Sequence, residues 1–332
     1  MKHPAKWAAI TLAAVLVSAC GGDDEPDAAT KPDESEEQTD PSDDEGDVEE
    51  TADEPVFPVT VGSGASAVEI AALPERIVSL SPTATEMLFA IGAGDQVVAV
   101  DEFSNYPEEA PTTDLSGLTP NVEAITSYEP DLVIAERDPG ELVASLEQVD
   151  VPTLIQGAAV TLDDAYTQIE QLGAATGHVG AAAELVGQMQ ADIDAAIAEV
   201  PERDEPVTYY HELDNTFYSV TGETFIGHLY GLLGMQSIAD EHGEGSGGYP
   251  QLSPEIIIDS DPDVILLADA QCCDVTAETL AERPGWTELS AVQDGRVIEL
   301  DADIASRWGP RVVDFLEMLA AELNELVPAN QG

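Results

Sequence analysis

The sequence predicts an α/β protein of two parallel-sheet lobes, joined by a single long spine helix, with a cleft between the lobes. Three observations carry that prediction. The first is an internal repeat. Asn121-Val122-Glu123-Ala124-Ile125, followed by Pro130-Asp131 and an apolar run, returns as Ser253-Pro254-Glu255-Ile256-Ile257, followed by Pro262-Asp263 and an apolar run. Such a repeat at long separation marks two units built on one plan. The second is an alternation of short apolar strands with capped helices, the pattern of a parallel sheet. The third is the stretch 162–200, rich in Ala, Leu, Ile, Gln and Glu at helical spacing; its last part, 181–200, has no Pro and only Gly187. Twenty helical residues span about 30 Å, the width of a small domain. A stiff connector of that kind predicts small hinge motion.

Along the chain, residues 1–19 read as an export leader. Lys2 and Lys6 flank the start of an apolar stretch over residues 7–17 that is too short to span a bilayer. It ends in Leu16-Val17-Ser18-Ala19-Cys20, which resembles a bacterial lipobox. That resemblance implies that Cys20 is lipidated and becomes the exported N-terminus, tethered at the outer face of the cell membrane. Residues 20–56 read as an acidic linker. From Asp23 to Glu54, 17 of 32 positions are Asp or Glu, so the segment cannot bury enough apolar surface to fold and extends by self-repulsion. Residues 57–160 form the N-terminal lobe, 161–200 the connecting helices and 201–332 the C-terminal lobe.

The formal net charge is −57 at pH 7. From residue 56 onward there is no lysine and there are seven arginines: Arg76, Arg137, Arg203, Arg283, Arg296, Arg307 and Arg311. Nucleic acid and anionic membrane surfaces require cationic patches, so neither is a partner of this surface. Dense carboxylates suit high salt, where they are screened.

In the first lobe, Ile77-Val78-Ser79-Leu80 is a buried strand, and Ser81-Pro82 then caps and opens a helix that Gly92 closes. Strands follow at 97–100, 132–135 and 153–155. The second lobe has strands at 207–210, 264–268 and 297–300, with helices near 224–233, 276–282 and 309–326. In both copies of the repeat a capped helix carries a glutamate in its first turn, and Pro-Asp then opens a strand. Two glutamates at equivalent points fit a partner that is itself two-fold symmetric.

With these parts in place the chain resembles the helical-backbone substrate-binding proteins of ABC importers, which serve cobalamin, ferric siderophores and haem. The resemblance runs over residues 70–328. It is most specific at Pro74-Glu75-Arg76-Ile77-Val78-Ser79-Leu80-Ser81-Pro82-Thr83-Ala84-Thr85-Glu86, at Ser104-Asn105-Tyr106-Pro107 and at the two glutamate motifs. It implies that Glu123 and Glu255 dock onto arginines of a permease dimer driven by an ATPase, and that the protein works as a monomer without a cofactor. It also implies that the ligand lies where strand ends of the two lobes face each other. The loops concerned are 81–85, 103–106 and 136–138 in the first lobe, and 210–217, 248–249, 271–273 and 306–308 in the second. Within them Phe103, Tyr210, Tyr249 and Trp308 offer flat faces, and Arg137 and Arg307 offer cationic forks. Against cobalamin binders, which place tryptophans in the first-lobe loops, this chain has Gly117 and Glu136. The expectation is therefore a metal chelate, with ferric siderophore ahead of corrinoid and haem, and with Arg76 and Arg311 outside the site.

Cys272 and Cys273 are adjacent and exported, which fits a vicinal disulfide or a free dithiol, the compartment favouring the disulfide. His211 with Glu212 and Asp214 suggests direct metal binding as an alternative, but no histidines recur at matched lobe positions, and no metal site is expected. No catalytic residues are assigned: Ser79 and Ser81 follow a strand without a glycine-flanked elbow, and no phosphate loop is present. A lipoprotein that sequesters or senses the ligand without an importer is the remaining alternative.

Overall fold

The computed structural model describes residues 56–62, 67–273 and 275–327. The leader, Cys20 and most of the acidic linker lie outside the described residues. The first described element is an antiparallel hairpin of β1 (Val59–Val61) and β2 (Val68–Ile70) that the sequence reading did not anticipate. The N-terminal lobe follows with β3 (Ile77–Leu80), α1 (Pro82–Ala90), β4 (Val97–Val100), α2 (Val122–Thr126), β5 (Leu132–Ala135), α3 (Leu142–Glu147) and β6 (Thr153–Ile155). Two helices come next, α4 (Leu162–Thr176) and α5 (Val179–Glu199). The C-terminal lobe contains β7 (Val207–Glu212), α6 (Phe225–Leu232), β8 (Met235–Ser237), α7 (Pro254–Ser260), β9 (Val264–Leu267), α8 (Ala270–Cys273), α9 (Ala277–Ala281), α10 (Ser290–Gln293), β10 (Val297–Glu299), α11 (Ala302–Ser306) and α12 (Val312–Leu326).

Each lobe is a four-stranded parallel sheet, with strand order β4-β3-β5-β6 in the first and β8-β7-β9-β10 in the second. The second strand pairs outside the first and the third lies on its other side, so the two lobes share one topology. Strands β3, β5 and β9 are buried at every position, as expected of parallel strands covered on both faces. The sequence pattern missed β8, whose three residues alternate buried, exposed and buried.

The repeat has a physical reading in both lobes. Asn121 caps α2 by accepting from Ala124 N, and Ser253 caps α7 by accepting from Ile256 N. Ile125 and Ile257 are fully buried in the apolar clusters on the outer faces of their sheets. Burying one such side chain contributes about 1.5–3 kcal/mol and turns the neighbouring glutamate outward. The Pro-Asp aspartates tie the strands: Asp131 accepts from Glu75 N and Arg76 N at 2.8 and 2.9 Å. Asp263 accepts from Thr208 N and Oγ1 at 2.9 and 2.8 Å. Arg76, expected as a plain surface charge, instead donates to the carbonyls of Tyr128 and Glu129 at the end of α2.

Helix α5 runs for 21 residues without a break. It buries Ala182, Val186, Met189, Ile193 and Ala196, the alternating four- and three-residue spacing of one helix face. It packs between α4 and α12. Gly177 in the left-handed region (φ 79°) ends α4 and lets α5 start at once. One apolar cluster runs from the hairpin through both connecting helices into the second sheet.

Candidate functional site

Interlobe hydrogen bonds show which sheet edges face each other. The segment after β4 meets the segment after β10: Asn105 Nδ2 donates to Asp303 Oδ2 at 2.6 Å, and Arg307 Nη2 donates to the Phe103 carbonyl at 3.0 Å. The carboxyl ends of the two sheets therefore converge, as the strand-end rule for α/β ligand sites requires.

Four aromatic side chains are exposed among the described residues, two from each lobe: Phe103, Tyr106, Tyr218 and Tyr249, at 52, 46, 40 and 45 %. All lie in loops beyond strands. Tyr218 and Tyr249 ride on adjacent segments, joined by a bridge between Tyr218 and Gln251 and by Ser219 N donating to the Pro250 carbonyl at 2.9 Å. Phe103 and Tyr249 are thus exposed in loops that the sequence assigned to the strand ends. Tyr218 was missed, although an aromatic in a turn headed by Asp214 and Asn215 is a readable signal for an exposed ring. Flat rings at this exposure offer apolar contact to a large ligand.

Tyr210 is a correction. It is fully buried, with its hydroxyl on Glu212 Oε2 at 3.2 Å and its ring edge-on to Trp286. Strand β7 continues two residues past the expected end, which carries Tyr210 below the strand edge and into the core. Trp308 is likewise 8 % exposed, with Nε1 donating to Gln168 Oε1 at 2.7 Å and the ring against Phe225. It precedes α12, which starts at Val312 and not at residue 309.

Arg307 is the larger correction. Its side chain is 8 % exposed and both terminal nitrogens are engaged: Nη1 donates to Glu86 Oε1 and Asn105 Oδ1, both at 2.9 Å, and Nη2 pairs with Asp303 Oδ1 at 2.9 Å. Arg311 doubles the pair, reaching Glu86 Oε2 at 3.0 Å and Oε1 at 2.5 Å. Its hydrogen bond to Glu86 holds the Arg311 guanidinium above its ordinary value. Glu86 lies in α1 and the arginines in the second lobe, so this is a buried interlobe ion pair.

The remaining arginines are also occupied. Arg203 donates to the Val327 carbonyl, Arg296 to the Asp263 carbonyl and Asp294, and Arg283 to both oxygens of Glu212 at 2.6 Å each. Arg137 alone is exposed at the strand ends, and it pairs with Glu136 at 2.6 Å.

Beneath the second lobe's strand ends lies a buried charge cluster. Glu212 is fully buried under Arg283, which stacks on Trp286 and Phe217 at 4.7 and 5.6 Å. Asp269 is 1 % exposed, and neither carboxylate oxygen has a hydrogen-bond partner among the described residues. Burial, with the Glu212 charge beside it, pushes Asp269 up to about 6. Just beyond it, exposed in α8, Cys272 and Cys273 are joined in a disulfide.

The structure separates the histidine-centred metal reading. His211 is fully buried with Nδ1 on Tyr230 Oη at 2.8 Å, and burial lowers it to about 3, so it is neutral. Glu212 is taken by Arg283, and Asp214 accepts from Thr216 N at 2.8 Å in its own turn. Gly117 is also reinterpreted. A Cβ there would lie 2.5 Å from the Leu80 carbonyl oxygen and 3.2 Å from Asp101 Oδ2, so this backbone admits no side chain. Its lack of an aromatic says nothing about ligand class.

Glu123 and Glu255 are both exposed in the first turns of α2 and α7. Its own backbone N–H and the Ser253 side chain hold Glu255 below the usual carboxylate range. No described helix is long and apolar enough to cross a membrane.

A periplasmic binding protein family model matches residues 77–304. The chain is similar to an uncharacterized ABC transporter substrate-binding lipoprotein of Bacillus subtilis, at 30 % identity over 97 % of both chains. It is also similar to a cobalamin-binding protein of Halobacterium salinarum, at 32 % identity over 80 % of this chain and 73 % of the relative. Among solved structures, the periplasmic vitamin B12-binding protein of Vibrio cholerae superposes with a TM-score of 0.64 at 28 % identity, covering 77 % of this chain and 98 % of that one.

Proposed function

This chain belongs to the periplasmic binding protein family, as an extracytoplasmic substrate-binding protein of an ABC transporter and not an enzyme; on that premise we propose that its ligand is a neutral or cationic metal chelate, a corrinoid before any other. The observation that carries the choice is four exposed aromatics in loops beyond the strands, beside a cleft arginine, Arg307, that is already engaged. An anionic siderophore would need free cationic forks. Arg307 is committed to Glu86, and the exposed Arg137 shares its guanidinium with Glu136 of its own loop, so a single arginine is left to meet such an anion and the corrinoid reading moves ahead of the siderophore. A corrinoid presents a broad macrocycle to stack on Phe103, Tyr106, Tyr218 and Tyr249, and an acidic surround does not repel it. The similarity to a cobalamin-binding protein supports the same choice.

In this reading Cys20 carries the lipid anchor and the acidic linker spaces the lobes from the membrane. Glu123 and Glu255 dock onto a permease dimer. Both glutamates are exposed at capped helix starts, where the helix dipole favours their charge.

The test is a calorimetric titration with cyanocobalamin, haemin, a neutral ferric trishydroxamate and an anionic ferric triscatecholate. Cyanocobalamin should bind most tightly and the triscatecholate at least about tenfold more weakly, with the gap narrowing as salt rises. Tightest binding of the triscatecholate would overturn the ligand assignment.

A further inference from the structure

The loop that presents Phe103 and Tyr106 belongs to the N-terminal lobe, yet much of what fixes it belongs to the other. Its own lobe holds the centre: Ser104 Oγ donates to Asp101 Oδ1 at 2.5 Å and lies 3.0 Å from Thr85 Oγ1. The flanks are held from across the cleft. Arg307 Nη2 donates to the Phe103 carbonyl and Nη1 to Asn105 Oδ1, while Asn105 Nδ2 donates to Asp303 Oδ2. Arg311 lies 4.3 Å from the centre of the Tyr106 ring. Both arginines are aimed by one carboxylate, Glu86, whose side chain is 1 % exposed. Gly309 makes this possible, since a Cβ there would come within 3.1 Å of Glu86 Oε2.

We infer that Glu86, Arg307 and Arg311 form an interlobe latch that positions the ligand-contact loop, so that parting the lobes withdraws support from Phe103 and Tyr106 together. The three residues are positioning residues and touch no ligand themselves. The consequence is directional. A transporter that pulls the lobes apart by their outer helices breaks the latch, frees the aromatic loop and loosens its grip on the ligand. Packed elements switch between discrete arrangements more readily than they deform, and a two-arginine pair on one carboxylate is a discrete contact. The role in recognition rests on the reading that Phe103 and Tyr106 contact the ligand.

The experiment combines two readouts on the full chain, with Asn105→Ala as the mild variant and Arg307→Lys as the stronger one. Asn105 is exposed, so its truncation buries no unpaired charge and leaves folding intact. The first readout is amide hydrogen exchange of the ligand-free protein. Residues 103–107 should exchange about tenfold faster in both variants, with the strand-end loop at 136–140 unchanged. The second is cyanocobalamin affinity in a double-mutant cycle with Phe103→Ala. Arg307→Lys alone should weaken binding about tenfold, yet add little once Phe103 is gone, because the two act through one contact. Unchanged exchange at 103–107 overturns the latch whatever the affinities are. Faster exchange with no effect of Phe103→Ala or Tyr106→Ala on binding overturns the ligand reading, and with it the latch's role in recognition. Losses that simply multiply in the cycle overturn positioning through Phe103.

Discussion

In the N-terminal lobe the strand ends are closed by hydroxyls. Thr85 Oγ1 donates to Ser79 Oγ at 2.9 Å and lies within 3.0 Å of Ser104 Oγ, which in turn donates to Asp101. In the C-terminal lobe the strand ends are closed by a charged cluster of Tyr210, Glu212, Asp269 and Arg283, with the disulfide-bonded α8 just beyond. Strand order, helix caps, the buried isoleucines, the outward glutamates and the clasping aspartates are alike in both lobes. What repeats lies on the outer helices, and what differs lies at the cleft. That is the division expected when one face meets a two-fold symmetric partner while the other meets a ligand that has no such symmetry.

The contrast predicts different costs for matched lesions. Arg283→Ala strands Glu212 as an unpaired buried carboxylate, which should cost about 3–5 kcal/mol in urea unfolding. Thr85→Val removes only neutral hydrogen bonds and should cost about 1 kcal/mol. Equal costs would mean that the two floors are energetically alike and that the comparison fails.

Asp269 sharpens the comparison through pH. Its folded value, about 6, lies above the ordinary 3.8, so the folded chain holds this proton more tightly than the unfolded one. The associated stability is present below about pH 4 and is lost as pH rises through about 6. Asp269→Asn should therefore stabilise the protein at pH 7.5 by on the order of 2 kcal/mol, with no gain near pH 4. A gain of equal size at both pH values would show that the carboxylate is not desolvated. In the N-terminal lobe the buried Asp101, which follows β4, is also raised by burial, with the Ser104 hydroxyl and Arg307 opposing the rise.

Much of this architecture is legible in the chain because it is local. Ser81-Pro82, Asn121 and Ser253 mark helix starts by cap chemistry, the apolar runs at 77–80, 132–135 and 264–267 mark buried strands, and the repeat reveals the second lobe. The hairpin of β1 and β2 and the edge strand β8 escape because each is three residues long with a polar residue at its centre, so it shows neither an apolar run nor a period. The misplacement of Arg307 and Tyr210 has a different origin. Glu86 precedes Arg307 by 221 positions, and no spacing rule announces a partner at that distance. Tyr210 lies two residues inside its strand, and strand ends are the least readable feature of a pattern. An arginine at a strand-end loop looks the same in sequence whether it awaits an anion or already holds one.

The central claim is that repeated parts serve delivery while unlike parts serve the ligand. The most direct measurement compares cyanocobalamin binding with uptake by vesicles carrying the cognate importer, for the parent and the Glu123→Ala/Glu255→Ala variant. An exposed helix-start charge adds little to folding, so the variant should fold and bind like the parent. Its uptake should collapse, because interface charge pairs set register and association rate. Parental uptake by a variant that binds normally would contradict the account, leaving the repeat as a record of shared fold alone.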